Sequence, residues 1–117
     1  MEKQRFKKFE VWSKAMDFIE AVYEVTKGFP ASEMYGLTSQ LRRAAISISM
    51  NIAEGSGSGF DNEFHRFLNI SQRSAYEVIC GLEIAQRLKY LEQSEAFRLV
   101  EKCDELSAML GGLKKKL

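Results

Sequence analysis

The sequence predicts an all-α protein, an antiparallel up-and-down four-helix bundle. Three observations predict it. Apolar residues recur at three and four residues in four long segments. No segment alternates with the period of a strand. The connections between segments are short, which favours antiparallel neighbours. At 117 residues the length fits one domain, residues 1–117. A chain of this size buries roughly two-thirds of its unfolded surface, enough for a core without disulfides or metals.

The first helix is expected from about Val11 to Lys27. Trp12, Ala15, Ile19, Val22 and Thr26 form its stripe, with Phe18 and Tyr23 widening it. Gly28 reads as its stop, and Pro30 follows as expected after a helix end. The segment GFPASEMYG, 28–36, is a connection. The second helix is expected from Leu37 to Glu54, with Gly55 as a left-handed C′ residue. The third begins near Asp61, a favourable N-cap, and runs to about Lys89. Its stripe is Phe64, Phe67, Leu68, Ser71, Ala75, Val78, Leu82, Ala85 and Leu88. The fourth is expected from Ser94 to Leu110, with Phe97, Val100, Cys103, Leu106 and Leu110 inside and Gly111-Gly112 as its end.

The second helix carries more than a core stripe. Leu37, Leu41, Ala44, Ala45, Ile48 and Ile52 suit the bundle interior. Ile46, Met50 and Ala53 form a second apolar line. A polar line, Gln40, Arg43, Ser47, Asn51 and Glu54, runs between them at spacings that keep it on one side. A helix with two apolar sides needs two covers. We expect the second cover to be another subunit and the polar line to be a buried or interfacial hydrogen-bond network. The competing reading makes Ile46 and Met50 flanks of a wide core stripe. Arg43 is expected to pair with Glu54, Glu77 or a neighbouring subunit.

Composition sets bounds on function. The chain is 45% hydrophobic and 28% charged, with a net charge of +1, so global charge does not mark a nucleic-acid binder. Positive charge does cluster at the ends. Lys3, Arg5, Lys7 and Lys8 precede the first helix, interleaved with Phe6 and Phe9. Lys114, Lys115 and Lys116 close the chain. In an up-and-down bundle both termini lie at one end, so these charges combine. Each phosphate they neutralise adds salt-dependent, sequence-independent affinity for RNA or DNA. Arg42 and Arg43 are candidates to extend that surface. The competing reading is a pair of solvated tails.

Catalysis finds little support. His65 is the single histidine and is expected to be exposed or capping. A zinc site lacks donors. Glu54, Asp61, Glu63 and Glu77 offer carboxylates, but the Glu-x-x-His pairs of di-iron bundles are absent. GSGSGF, 55–60, shares only its glycines with a phosphate-binding loop. It reads as a flexible connection. Cys80 lies off its stripe and Cys103 on its own, so two free thiols are expected. No cofactor is implied. Residues 1–10 lack the apolar core of an export signal. The run Ala44–Ala53 is too short and too polar to cross a membrane. With two cysteines, this fits a cytoplasmic protein.

The chain resembles a known family. Trp12 and Ala15 are followed by Phe29-Pro30 and Glu33-Met34-Tyr35-Gly36-Leu37. Then come Gln40, Arg42-Arg43-Ala44-Ala45, Ser47-Ile48 and Asn51-Ile52-Ala53-Glu54-Gly55. Phe64, Phe67-Leu68, Ser74 and Glu77 continue the match, and Lys89-Tyr90-Leu91 stands at a Gly-Tyr-Leu-like turn. This pattern is similar to that of the four-helix-bundle family encoded by intervening sequences in bacterial 23S ribosomal RNA genes. The resemblance covers nearly the whole chain. Gln72-Arg73-Ser74 departs from it, because a small residue or glycine is expected before the serine. The resemblance implies an up-and-down bundle. It also implies a ring-shaped homo-oligomer, a pentamer favoured, because a distant relative is the pentameric accessory protein of diversity-generating retroelements. That relative is strongly basic and this chain is not. The function it implies is an interaction module with an RNA, DNA or protein partner; the family's biochemical role is uncharacterised.

Overall fold

The computed structural model describes residues 4–117. It contains α1 (Glu10–Thr26), α2 (Leu37–Ser56), α3 (Asp61–Arg87) and α4 (Gln93–Lys114), with short 3-10 turns at Arg5–Lys8 and Ala31–Glu33. No strand occurs among the described residues. The helices alternate in direction and pack into a bundle of 45 × 22 × 20 Å. The seam between α2 and α3 is the most extensive, and the seam between α1 and α4 the thinnest.

The α1 core residues are Val11, Ala15, Phe18, Val22 and Thr26. Trp12 and Ile19, expected at the centre of the stripe, flank it half-buried. Thr26 sits in the core because its hydroxyl donates to the Val22 carbonyl at 2.8 Å, so no polar group is orphaned. Beyond α1, Phe29 is buried and packs against Tyr90 with ring centroids 5.6 Å apart. Glu33 does two jobs in this turn. Its Oε1 accepts the Leu37 N–H at 3.0 Å, satisfying a free amide at the start of α2. Its Oε2 accepts the Tyr90 hydroxyl at 3.0 Å, which ties the α1–α2 connection to the α3–α4 connection.

Helix α2 buries Leu41, Ala44, Ala45, Ile48 and Ile52 as expected, and continues to Ser56. Gly55 is therefore helical, not a left-handed stop. A methyl group there would stand 2.7 Å from Phe67 Cβ and 2.8 Å from Phe64 Cδ1. Its glycine permits close approach of α2 and α3. The left-handed glycine is Gly59, with φ 84°. Asp61 is the first residue of α3, and Phe60 holds the N-cap position. Asp61 and Glu63 place negative charge on the first turn, where the helix dipole favours it.

Helix α3 buries Phe64, Leu68, Ser71, Ala75, Val78, Leu82 and Ala85. Phe67 is half-buried and Leu88 exposed. The helix ends before Lys89, which adopts φ 65°. The Tyr90 N–H reaches back to the Ala85 carbonyl at 2.9 Å, the six-to-one bond of a left-handed helix cap. This is the position where the resemblance places glycine, the residue that reaches positive φ without strain.

Helix α4 buries Ala96, Leu99, Cys103, Leu106 and Leu110. Phe97, expected inside, is 63% exposed. Gly111 and Gly112 do not end the helix, because the Lys115 N–H still reaches the Gly111 carbonyl at 3.2 Å. Buried polar side chains are accounted for. The Ser71 hydroxyl donates to the Ile48 carbonyl at 2.8 Å, and the Cys103 thiol to the Ala75 carbonyl at 3.3 Å. No buried side-chain nitrogen or oxygen among the described residues lacks a partner.

Candidate interaction surfaces

The polar line of α2 divides in two. Ser47 and Asn51 are half-buried in the seam with α3. Asn51 Nδ2 donates to the Ser47 carbonyl at 2.8 Å and to Ser47 Oγ at 3.0 Å. Ser74 of α3 donates to the same Ser47 Oγ at 2.8 Å. This part is a network inside one subunit that fixes α2 against α3. Sequence reasoning did not assign Ser74 to it, because only the fold brings position 74 to position 47. Gln40, Arg43 and Glu54 are exposed and take no part in the network. The expected partners of Arg43 within the chain, Glu54 and Glu77, form no ion pair with it among the described residues.

The second apolar line presents Met50, 57% exposed, between half-buried Ile46 and Ala53. These side chains do not sit at the bundle centre, so the monomer leaves this line partly uncovered.

The basic residues also divide. Arg5 Nε donates to the Ser56 carbonyl at 3.2 Å, and its guanidinium lies 5.3 Å from the Phe64 ring centroid. Arg42 Nε donates to Thr26 Oγ1 at 2.9 Å, and its guanidinium covers the Tyr23 ring at 4.4 Å. Lys114 Nζ bonds Asn69 Oδ1 at 2.6 Å and Gln72 Oε1 at 2.8 Å. These three cations are engaged in packing α2, α1 and α4 against their neighbours. The carbonyl, hydroxyl and amide groups that hold them are invisible to a reading of charge alone. Lys7, Lys8, Lys115 and Lys116 are exposed, and none forms an ion pair among the described residues. Lys8 and Lys116 line one groove with Phe9, Val11, Met109, Gly112 and Leu113, and Glu10 adds one carboxylate to it. The two basic segments therefore meet at one end. Lys3 lies outside the described residues.

The remaining candidates stay apart. His65 is exposed and lines a shallow groove with Asp61, Asn62 and Leu117. Among the described residues no three His, Cys, Asp or Glu side chains gather as a metal site. Cys80 is exposed and Cys103 buried, and both are free. Burial, with a smaller contribution from the Asp104 charge, pushes the Cys103 thiol up to about 12, which keeps it protonated and unreactive. Across the thin α1–α4 seam, Lys14 Nζ meets Glu105 Oε1 at 2.8 Å. This hydrogen bond raises the Lys14 pKa and lowers that of Glu105.

Comparison with known proteins places this architecture. A family model described as "23S rRNA-intervening sequence protein" matches residues 7–112. The chain belongs to the 23S rRNA-intervening sequence protein family. The match spans Trp12 through Lys89-Tyr90-Leu91, the residues that carry the resemblance seen in the sequence. The departure at Gln72-Arg73-Ser74 is accommodated within the family fold. Arg73 points to solvent, and Gln72 Nε2 donates to the Ser107 carbonyl of α4 at 2.9 Å. A solved structure from Bacteroides thetaiotaomicron, described as a protein of unknown function from the S23 ribosomal protein family, shares the fold with a TM-score of 0.83. It is 23% identical, over 90% of this chain and 95% of that one. No curated protein matches the sequence. No described helix is long and apolar enough to cross a membrane.

Proposed function

We propose that this family member is a non-enzymatic, cytoplasmic interaction module. It assembles with copies of itself, a ring of about five subunits favoured, and binds RNA or DNA through its basic terminal end. The observation that carries the reading is the groove shared by Lys8 and Lys116, with Lys7 and Lys115 exposed beside them. Four ammonium groups that form no ion pair among the described residues make an electrostatic footprint at one end, and a ring repeats it once per subunit. Lys3 extends the segment in sequence. Arg5, Arg42 and Lys114 are engaged in hydrogen bonds to neighbouring elements and are left out of the footprint. The assembly reading rests on Met50, the exposed member of the second apolar line. Ile46 and Ala53 flank it, and Gln40, Arg43 and Glu54 supply polar groups nearby. A second reading, a protein-binding adaptor without a nucleic-acid role, uses the same Met50 line.

Light scattering on a size-exclusion column, at low and high salt and with and without a mixed RNA pool, tests both halves. The expected result is a mass of about five protomers that RNA increases only at low salt, because phosphate contacts weaken as salt rises. Replacing Lys7, Lys8, Lys115 and Lys116 with Gln is expected to abolish the RNA shift and leave the mass unchanged. Met50→Glu is expected to lower the mass. A monomer indifferent to RNA at both salts overturns the proposal.

A further inference from the structure

The first half of α3 carries a groove lined by Arg66, Asn69, Ile70, Gln72, Arg73 and Tyr76. These positions recur at three and four residues, so they share one side of the helix. Tyr76 is 65% exposed. Among the described residues its ring forms no aromatic pair, and no guanidinium covers it. The Tyr23 ring, by contrast, already carries Arg42 at 4.4 Å.

Two cations share the groove with that ring. Arg73 lies one turn before Tyr76 on the same face, is exposed and forms no ion pair among the described residues. Arg66 stands two turns from Arg73, about 10 Å along the helix. It donates to Glu63 Oε1 at 3.0 Å and covers the Phe67 ring at 4.6 Å. An ion pair this exposed holds its arginine weakly. Among the described residues no carboxylate lines the groove. Glu77, next to Tyr76 in the chain, is exposed and does not pair with Arg73.

Lys114 orients the amides of the groove. Its Nζ donates to Asn69 Oδ1 at 2.6 Å and to Gln72 Oε1 at 2.8 Å. An ammonium only donates, so it draws the Asn69 oxygen toward α4 and turns the Nδ2 end away. Gln72 Nε2 is taken by the Ser107 carbonyl, whereas Asn69 Nδ2 remains a donor for the groove. Lys115 and Lys116 follow Lys114, so the chain links this groove to the lysine end. An open aromatic ring beside guanidiniums is the combination that binds unpaired bases: the cations hold phosphates, and a base stacks on the ring. A duplex offers the same phosphates, but its bases are already stacked on one another. An acidic peptide matches the arginines and has no base for the ring.

We propose that this α3 groove is a binding site for single-stranded nucleic acid. Tyr76 stacks a base, Arg73 and Arg66 hold phosphates along the strand, and Asn69 donates to an acceptor on it. The inference rests on the nucleic-acid reading above and adds a second contact region and strandedness to it. Stacking is common to RNA and DNA, so the assay compares both.

Fluorescence anisotropy with labelled oligouridylate, oligothymidylate and a DNA duplex, each of about sixteen nucleotides per strand, provides the test, with oligoglutamate as competitor. Wild type is expected to bind both single strands more tightly than the duplex. Tyr76→Ala is expected to weaken single-strand binding roughly 5- to 150-fold and leave duplex binding unchanged, while Tyr76→Phe retains binding. Arg73→Gln is expected to weaken single-strand binding and to reduce the slope of log affinity against log salt by about 0.7. If wild type binds single strands and both Tyr76→Ala and Arg73→Gln bind them equally well, the groove is overturned while the lysine footprint stands. If no probe binds at low salt, the footprint falls and the groove falls with it. If oligoglutamate displaces the single strands at equal concentration and Tyr76→Ala changes nothing, the groove takes acidic peptide and the proposal is overturned. If either variant lowers the assembled mass, the groove is a subunit contact and the proposal is likewise overturned.

Discussion

At the end where α1 finishes and α3 turns into α4, side chains lock onto one another. At the end where the termini meet, aromatic packing holds one layer and free charge covers it. The first end joins its two connections through Glu33, which caps α2 and accepts the Tyr90 hydroxyl, and through the Phe29–Tyr90 ring pair. The second end is anchored by Phe64, which meets Phe9 with centroids 5.8 Å apart and lies beneath Arg5. Outside that anchor stand Lys7, Lys8, Phe60, Lys115 and Lys116, all exposed. One end joins its two connections through polar and aromatic contacts. The other engages Arg5 and Lys114 and leaves four lysines exposed.

The contrast can be broken at its anchor. Phe64→Ala removes the ring under Arg5 and beside Gly55, and is expected to cost roughly 3–5 kcal/mol in urea unfolding. A loss below 1 kcal/mol would show that the terminal end does not depend on this ring. The next largest effect compares two glycines. A methyl at Gly55 meets the Cβ of Phe67 and, at 3.3 Å, the Cα of Phe64, so backbone has to move. A methyl at Gly81 meets the Cδ2 tip of Leu41 at 2.6 Å, which is more easily displaced. Gly55→Ala is expected to destabilise by about 1–3 kcal/mol. Gly81→Ala is expected to stay within about 1 kcal/mol of wild type, because the helix propensity of alanine offsets the strain. Equal losses in urea unfolding would contradict the difference in neighbours.

At the locked end, Lys89→Gly is expected to raise stability by about 0.5–1 kcal/mol, since glycine adopts the left-handed cap without steric strain. Thermal unfolding reads this directly, and a lower melting temperature would contradict it. The smallest effect comes from the core that both ends share. The ordinary thiol value of 9.0 is raised to about 12 at Cys103. The unfolded chain therefore loses this proton first as pH rises. The stability contribution is intact below about pH 9 and is lost progressively from there toward 12. Alkylation at mildly alkaline pH is expected to label Cys80 in the folded protein and Cys103 only after unfolding. Equal labelling of both thiols in the folded state would contradict the burial of Cys103.

Much of this architecture was legible in the spacing of apolar residues, which set four helices and the α2 core. The rotation of each stripe was less legible. Trp12 and Phe97 are large and apolar, and periodicity does not separate the centre of a stripe from its edge. Val11 and Leu99 occupy the true centres. Glycine was misread at Gly55 and at Gly111-Gly112, because one residue type serves both helix ends and close helix contacts. The candidate surfaces were legible as charge but not as availability. Arg5, Arg42 and Lys114 find partners far away in sequence, at Ser56, Thr26, Asn69 and Gln72. The α3 groove went unassigned. Its signal was Arg66, Asn69, Arg73 and Tyr76 at three- and four-residue spacing, off the core stripe of α3.

The thin seam between α1 and α4 sets an order of opening. The first helix leans on α2 along one flank, while the opposite flank meets α4 through few contacts and an exposed Lys14–Glu105 pair. The α2–α3 hairpin, stitched by Ser47, Asn51, Ser71 and Ser74, forms the most protected cooperative unit. In native-state hydrogen exchange the amides of α1 therefore release deuterium ahead of those in α2 and α3.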